Sequence, residues 1–181
     1  LVVSYIFYVY GILVHEAEQE WLADRAYHDE LCGTYNRTKC NERFDELDAG
    51  DAEYALINMD LNGLKTINDS LGHVQGDLLL QEFAAILQDA FSGMGEVFRM
   101  GGDEFLVLVR QEQFPQIDQC LNKMVRLEKR RSSELTFNIE AAYGVAKSSE
   151  CPKESVQKVY MLADRRMYDM KTKQKINQRL R

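Results

Sequence analysis

Two adjacent glycines, Gly101 and Gly102, lie between two segments rich in β-forming residues, and this pair constrains the fold more than any other feature of the chain. Glycine readily adopts the positive φ angles that a tight hairpin turn requires, so the sequence predicts an antiparallel hairpin over residues 96–109. Two acids, Asp103 and Glu104, follow the glycines and precede a continuous apolar run. Acids at a hairpin tip are often only solvated, but carboxylates at the mouth of a buried strand also favour a bound cation.

A second informative stretch opens with Asp60, directly after a strand predicted over residues 52–59. Taken alone, a carboxylate at the end of a strand is usually a helix cap or a solvated turn residue. Combined with Asp103, it becomes a candidate metal ligand, because Mg²⁺ is held by one or two carboxylates, an occasional backbone carbonyl and substrate phosphates. The two acids together therefore predict a magnesium site.

Hydrophobic periodicity accounts for most of the remaining chain. Apolar residues recur at helical spacing over 77–91, 114–128 and 156–170, and they alternate with other residues over 137–143, as in a half-buried strand. Asn36 is a candidate N-cap for one more helix. This order of elements predicts an α+β fold in which helices pack on a mostly antiparallel sheet.

Composition limits the class of partner. The 181 residues carry a formal net charge of −7, with 45% hydrophobic and 28% charged residues, which is the balance of a globular protein. This charge argues against a general nucleic-acid binder, although a nucleotide can still bind where a metal and a few lysines concentrate positive charge. The four cysteines lack the spacing of a zinc site and are expected to be free thiols.

The first 28 residues are predicted to lie outside the main domain. Residues 1–14 are almost wholly apolar but too few to span a bilayer. Three interpretations stay open: the end of a transmembrane helix, the last strand of an upstream sensor domain, or a strand packed on this domain, and the β-forming composition favours a strand. The sequence of residues 16–27 predicts a helix that either pairs with the same helix of a second chain in a parallel dimer or caps the surface of the domain. The chain is therefore divided into an upstream segment with its linker helix, 1–28, and one domain, 29–181.

Three further motifs carry a resemblance to a known family. Residues 29–37 read DELCGTYNR and are similar to D-x-L-T-G-L-x-N-R, except at Cys32 and Thr34. Residues 60–77 match every fixed position of D-x-D/N-x-F/L-K-x-x-N-D-x-x-G-H-x-x-G-D, and residues 163–171 resemble A-D-x-x-L/M-Y-x-x-K. With the hairpin sequence GGDEF, these motifs resemble the GGDEF domains that act as diguanylate cyclases. The usual Gly-Arg-Asn farther on is replaced by Gln174-Lys175-Ile176.

This resemblance implies a ferredoxin-like, palm-type α+β fold similar to that of nucleotidyl cyclases. It also implies a reaction in which two GTP molecules are joined into cyclic di-GMP with release of two pyrophosphates, each step being attack of a ribose 3′-hydroxyl on an α-phosphate. Because one domain would hold one GTP, the resemblance implies a homodimer formed through the domain and the linker helix. It further implies a cytoplasmic domain of a bacterial signalling protein, with a sensor or membrane segment upstream.

The resemblance assigns roles to the acids and to one lysine. The metal, Mg²⁺ with Mn²⁺ as an alternative, would be bound by Asp60, the Leu61 carbonyl, Asp103 and Glu104. Glu104 is a candidate for either the second-metal ligand or the base, and the two roles are not separated by the sequence. The catalytic set is Asp103, Glu104 and Lys65.

The resemblance also assigns the substrate contacts. Phosphate and hairpin contacts would come from Gly63, Leu64, Lys65, Lys171, Lys175, Gly101 and Gly102. Asn68 and Asp77 correspond to residues that recognise guanine. A carboxylate accepts the N1–H and amine donors of guanine but would face an acceptor at N1 of adenine, so GTP is expected to be preferred over ATP.

Regulation and two rival functions complete the expectations. Many members of the family carry an R-x-x-D product site that ends six residues before the first hairpin glycine, where this chain reads Ser92-Gly93-Met94-Gly95, so no product inhibition is expected there. The first rival is a domain of the same fold that binds GTP and regulates a neighbour without catalysis. The second is a plain dimerisation or interaction module.

Overall fold

The computed structural model describes residues 10–15 and 25–179. One sheet has the strand order β1-β3-β4-β2-β5, in which β1 runs parallel to β3 and the other pairs are antiparallel. The strands are β1 (Tyr35–Asn36), β2 (Tyr54–Leu61), β3 (Gly95–Gly101), β4 (Glu104–Arg110) and β5 (Ala141–Lys147). The helices are α1 (Arg37–Ala49), α2 (Leu64–Leu71), α3 (His73–Ala90), α4 (Ile117–Glu134) and α5 (Val156–Arg179), with 3₁₀ turns at Gln111–Gln116 and Ser148–Glu150.

Strand β2 lies at the heart of the molecule, and all eight of its residues are buried. Successive side chains of a strand point to opposite faces, so β2 contributes to two separate cores. Ile57 and Met59 belong to the core beneath α2, α3 and α4, whereas Leu56 belongs to the core beneath α1 and α5. The predicted mostly antiparallel sheet with packed helices is therefore confirmed, and the sheet is covered on both faces.

Helix α5 lies very close to strand β5 because Gly144 has no side chain. A Cβ atom at this position would come within 2.1 Å of the Ala163 carbonyl oxygen and 2.3 Å of the Met167 nitrogen. Only a residue without a Cβ atom fits at this distance, so Gly144 allows the backbone of α5 to pack directly on the sheet. This close approach brings the C-terminal half of α5 within reach of the end of β2.

Several local predictions agree with the structure. The Asn36 side chain accepts the Lys39 N–H at 3.1 Å and caps α1, as predicted. The hairpin over 96–109 is present as β3 and β4, and helices occupy the three periodic segments. The strand predicted over 52–59 is shifted, because β2 continues to Leu61.

Two other predictions need correction. The strand predicted over 137–143 begins only at Ala141, because the Ile139 N–H donates to Ser132 Oγ at 2.8 Å instead of joining the sheet. Residues 10–14, the described part of the apolar stretch 1–14, are helical, so the prediction of a strand is wrong there. A helix satisfies its own backbone hydrogen bonds, whereas a strand needs a partner strand.

Most of the upstream segment lies outside the described residues. The upstream part of the predicted strand, residues 1–9, and most of the linker helix, residues 16–24, lie outside the described residues, and residues 25–27 are helical. Within the described ranges, no helix combines the length and apolar character needed to cross a bilayer.

Candidate active site

The tip of the β3–β4 hairpin is shaped by its glycines and held by Arg99. Gly101 and Gly102 have φ angles of +142° and +54°, as the turn prediction requires. The Arg99 guanidinium donates to the Gly102 carbonyl at 2.9 and 3.2 Å and to the Asp29 carboxylate at 3.0 and 3.2 Å. Burial would raise the pKa of Asp29, but hydrogen bonds from the Cys32 N–H and from Arg99 lower it below its ordinary value. The opening motif thus anchors the turn.

Strands β2 and β4 place the predicted acids side by side. Asp60 is opposite Glu104 in the antiparallel register, and the Leu61 N–H donates to the Asp103 carbonyl at 2.9 Å. Asp60 is only 9% exposed, Asp103 is half-buried and Glu104 is exposed. The acids come from two segments that are far apart in the chain, and the strand pairing brings them to one end of the sheet.

Helix α5 closes the acidic site through Lys171. The Lys171 Nζ lies 2.5 Å from Asp60 Oδ1, and both side chains are mostly shielded from solvent. Asn58, on the same face of β2 as Asp60, donates to Asp164 Oδ1 at 2.9 Å. Asp164 and Lys171 are about two helical turns apart, so the two contacts together fix the position of α5 along β2.

A pocket of about 320 Å³ begins beside these acids and extends to the N-terminus of α2. Gly63 precedes the helix with a φ of +83° and, as a glycine, offers no side chain to cap it. The first N–H groups of a helix have no partner within the helix and carry partial positive charge, which makes this end a favourable place for an anion. The pocket is lined by Leu61, Asn62, Gly63, Leu64, Lys65, Thr66, Asp103, Lys171, Gln174 and Lys175.

Gln174 is a site residue to which the sequence assigned no role of its own. Its Oε1 accepts from Asn62 Nδ2 at 3.0 Å, and its Nε2 donates to the Ala141 carbonyl at 3.2 Å. It therefore joins α5 to β5 and to the loop before α2. The only signal in the sequence was that Gln174 begins the segment in which the expected Gly-Arg-Asn is replaced.

The two predicted guanine-recognising residues lie apart from this pocket, where α2 meets α3. Asn68 is on α2, and its Oδ1 is buried with no hydrogen-bond partner among the described residues. Gly76 packs so tightly against this side chain that an added Cβ would come within 1.9 Å of Asn68 Oδ1. Asp77 is exposed at the next position of α3. A buried amide oxygen without a partner is costly, so this junction is suited to a polar ligand.

The donor set suits Mg²⁺. Carboxylate and carbonyl oxygens are the ligands that this hard cation prefers, and Asp60, Asp103 and the Leu61 backbone provide them in one place. In the described part of the chain, no three His, Cys, Asp or Glu side chains are grouped so that they could hold a metal ion by themselves. Mg²⁺ commonly completes its shell with water and substrate phosphates, so two carboxylates beside an anion pocket fit its requirements.

Comparison with known proteins places this geometry in a family. The family model described as "Diguanylate cyclase, GGDEF domain" matches residues 26–177, which is most of the chain. The chain belongs to the GGDEF family of diguanylate cyclases. The resemblance seen in the motifs is thereby confirmed.

Two curated relatives are bacterial GGDEF proteins. The chain is 31% identical over 147 residues to a protein named "Probable diguanylate cyclase DgcI" of Escherichia coli, covering 81% of this chain and 31% of that protein. It is 28% identical over 163 residues to "Diguanylate cyclase DgcS" of Shewanella oneidensis, covering 88% of this chain and 54% of that protein. The chain therefore spans between about a third and about half of the length of these relatives.

Solved GGDEF structures share the fold. The coiled coil and GGDEF domain of DgcB from Caulobacter crescentus, in complex with c-di-GMP, matches with a TM-score of 0.75 at 23% identity, covering 91% of this chain and 90% of that chain. The diguanylate cyclase SiaD from Pseudomonas aeruginosa, in complex with its activator SiaC, matches with a TM-score of 0.76 at 24% identity, covering 94% and 67%. The predicted fold class is confirmed.

The two departures of this GGDEF domain from the opening motif affect packing. Cys32 Sγ lies 3.8 Å from the Leu80 carbonyl, and burial raises the pKa of the thiol to about 12, so it stays protonated. Thr34 is 2% exposed, and within residues 10–15 and 25–179 its Oγ1 has no hydrogen-bond partner. Neither residue lines the pocket beside the acids.

Proposed function

We propose that this GGDEF domain is a diguanylate cyclase that joins two GTP molecules into cyclic di-GMP and releases two pyrophosphates. The observation that carries the proposal is the placement of Asp60, Asp103 and Glu104 beside a lysine-lined pocket at the N-terminus of α2. Phosphoryl transfer depends mainly on positioning the phosphates and neutralising their charge, and this arrangement offers groups for both tasks.

The acids would hold the metal and activate the nucleophile. Mg²⁺, with Mn²⁺ as an alternative, would be held by Asp60, the Leu61 carbonyl, Asp103 and Glu104, and when bound it supplies positive charge to the attacking oxygen and to the phosphates. Glu104 is exposed at the start of β4, so its carboxylate can reach a bound ligand, either to accept the proton of the ribose 3′-hydroxyl or to complete the metal shell.

Lysines and backbone N–H groups would hold the triphosphate. Lys65, Lys171 and Lys175 line the pocket and provide point charges, and the Gly63–Leu64 backbone begins the helix whose first N–H groups would bind an anion. Gly101 and Gly102 keep the hairpin free of side chains next to the reacting groups. Holding the phosphates from both sides aligns the α-phosphate for attack.

Asn68 and Asp77 would select guanine. The buried Oδ1 of Asn68 lacks a partner in the part of the chain that the structure describes and can accept from a base, while the exposed Asp77 carboxylate can accept the two donors of the guanine edge. Adenine would present an acceptor to Asp77, leaving a charged group unpaired, so GTP is favoured over ATP.

The reaction needs two such domains. Because one domain would hold one GTP and two GTP molecules must meet, we propose a homodimer formed through the GGDEF domain and the linker helix, in a cytoplasmic domain attached to a sensor or membrane segment. Because Ser92-Gly93-Met94-Gly95 replaces the R-x-x-D motif, we also propose that the product does not inhibit at this place. A sub-micromolar product affinity at this surface would contradict that view.

The function is tested by incubating the purified dimer with GTP and Mg²⁺ and identifying the product by chromatography and mass. Wild type should form cyclic di-GMP, and Glu104→Gln should form none. Glu112→Gln, the same change at an exposed position outside the site, is the control and should behave as wild type. If the dimer binds GTP tightly in the presence of Mg²⁺ but forms no product, the domain is instead a GTP receptor. If it binds no GTP, it is an interaction module.

A further inference from the structure

The acidic site already holds a cation, which is the ammonium group of Lys171. This group contacts Asp60 Oδ1 at 2.5 Å, and Asp60 is the most buried of the three acids at the site. Within the described ranges, Lys65 and Lys175 of the same pocket form no ion pair. Lys171 is thus the lysine that compensates the buried carboxylate when no metal is present.

A divalent metal ion on Asp60 would need the carboxylate that Lys171 contacts. Two cations on one carboxylate repel each other, and this repulsion is strong where solvent is largely excluded. The Asp60 and Lys171 side chains are 13% and 23% exposed, so water screens them only in part. Metal and ammonium should therefore compete for Asp60.

The pocket at the N-terminus of α2 offers the Lys171 ammonium a second position. Lys171 lines this pocket of about 320 Å³ together with Lys65. A lysine carries a compact charge on a flexible four-carbon stem, so the ammonium can turn from Asp60 to an anion in this pocket while α5 stays in place. A phosphate group in this pocket would be a new negatively charged partner for the ammonium, in place of the Asp60 carboxylate.

We propose that Lys171 is an exchangeable counter-ion that neutralises Asp60 in the free protein and transfers to substrate phosphate when metal and nucleotide bind together. The proposal rests on the proposed function, since it takes the ligand to be a metal-bound nucleoside triphosphate. Lys171 therefore opposes metal binding in the free protein and contacts substrate phosphate in the complex. Metal alone then binds weakly, nucleotide strengthens metal binding, and by linkage metal strengthens nucleotide binding by the same factor.

In the first test, the full chain is titrated with Mn²⁺ alone and the binding affinity is measured by calorimetry. Lys171→Met and Lys171→Gln should each bind Mn²⁺ about tenfold more tightly than wild type, because the metal no longer displaces a charge-assisted hydrogen bond. Lys175→Met removes the same charge from the same pocket without touching Asp60, and its affinity should change by less than about threefold, as for a screened charge. Asp60→Asn combined with Lys171→Met should remove the gain.

The second test measures nucleotide affinity, for which the Lys171 variants should show the opposite change. With Mg²⁺ and a GTP analogue that carries a methylene bridge between the α- and β-phosphates, both Lys171 variants should bind the analogue about tenfold more weakly than wild type, because a phosphate contact is lost. One change that strengthens metal binding and weakens nucleotide binding is not expected from misfolding, and circular dichroism confirms the fold of each variant.

A third variant keeps the proposal testable if the Lys171 variants do not fold. Asp60→Asn removes the carboxylate that holds Lys171. In the presence of a metal chelator, this variant should bind the same GTP analogue more tightly than Glu104→Gln does. Glu104→Gln is the matched control, because it removes the same charge from an exposed neighbour. Equal analogue affinities for these two variants would overturn the exchange.

Other outcomes also overturn the proposal. Equal Mn²⁺ affinity of wild type and both Lys171 variants would show that Lys171 does not compete, and an equal gain in Lys175→Met would trace the effect to net charge. Cyclic di-GMP formation by wild type is assayed in parallel. If wild type forms cyclic di-GMP but the Lys171 variants show none of the expected affinity changes, only the exchange is refuted. If the affinities change as expected but wild type forms no product, only the cyclase activity is refuted.

Discussion

Replacing Glu128 with glutamine should stabilise the domain, and the gain should grow with pH. Glu128 lies on α4, is 5% exposed and forms part of the wall of a cavity of about 580 Å³. Burial raises its pKa from 4.5 to about 8, nearby Glu140 adds to the rise, and the hydrogen bond from the Ala141 N–H partly offsets it. At neutral pH the folded protein therefore holds a proton that the unfolded chain has released.

The sign of the pH dependence follows from this difference. Below about pH 4.5 both states are protonated and Glu128 has no effect, whereas between pH 4.5 and 8 folding requires proton uptake, so stability falls as pH rises. Each pH unit lowers the free energy of unfolding by about 1.4 kcal/mol, which amounts to about 3 kcal/mol at pH 7 and about 5 kcal/mol above pH 8. Glutamine keeps the Oε1 acceptor for the Ala141 N–H and has no proton to lose.

The assay is urea unfolding followed by circular dichroism at pH 5, 7 and 9. Glu128→Gln should match wild type near pH 5 and exceed it by several kcal/mol at pH 9. Glu134→Gln makes the same change at an exposed position of the same helix, and its stability should follow the pH dependence of wild type. Parallel pH profiles for wild type and Glu128→Gln would refute the reasoning, because they would mean that Glu128 titrates at its ordinary pKa.

Two further substitutions test the packing that positions the site. Gly144→Ala should lower the free energy of unfolding by about 2 to 4 kcal/mol, since its Cβ would overlap the Ala163 carbonyl, whereas Gly50→Ala meets only an ordinary contact and should have little effect. Urea unfolding measures both, and a loss below about 1 kcal/mol at Gly144 would mean that α5 can shift away from β5. Arg99→Lys keeps the charge but loses the fork that holds Asp29 and the hairpin turn, so it should cost about 1 to 3 kcal/mol and lower cyclic di-GMP formation. Unchanged stability and activity would show that the turn holds its shape without this contact.

Local signals predicted most of the elements because their physical causes are local. Helical spacing, the Asn36 cap and the glycine turn each depend on a few neighbouring residues, and all are present in the structure. The late start of β5 arose because a residue outside the predicted strand decides its backbone. Ser132 of α4 takes the Ile139 N–H and delays the start of β5. The sequence pattern contains no sign of such a partner.

The sequence by itself determined which residues could do the chemistry, because a carboxylate or a glycine has its properties wherever it lies. It identified Asp60, Asp103 and Glu104 as acids, and the family motifs linked them to one site. Only the tertiary structure decided that Asp60 lies opposite Glu104 and touches Lys171, since these contacts depend on strand register and on how closely α5 packs. The role of Gln174 depends on the same packing, which joins three segments far apart in the chain. Contacts between distant segments have no local signature, so the folded chain alone sets the electrostatics of the site.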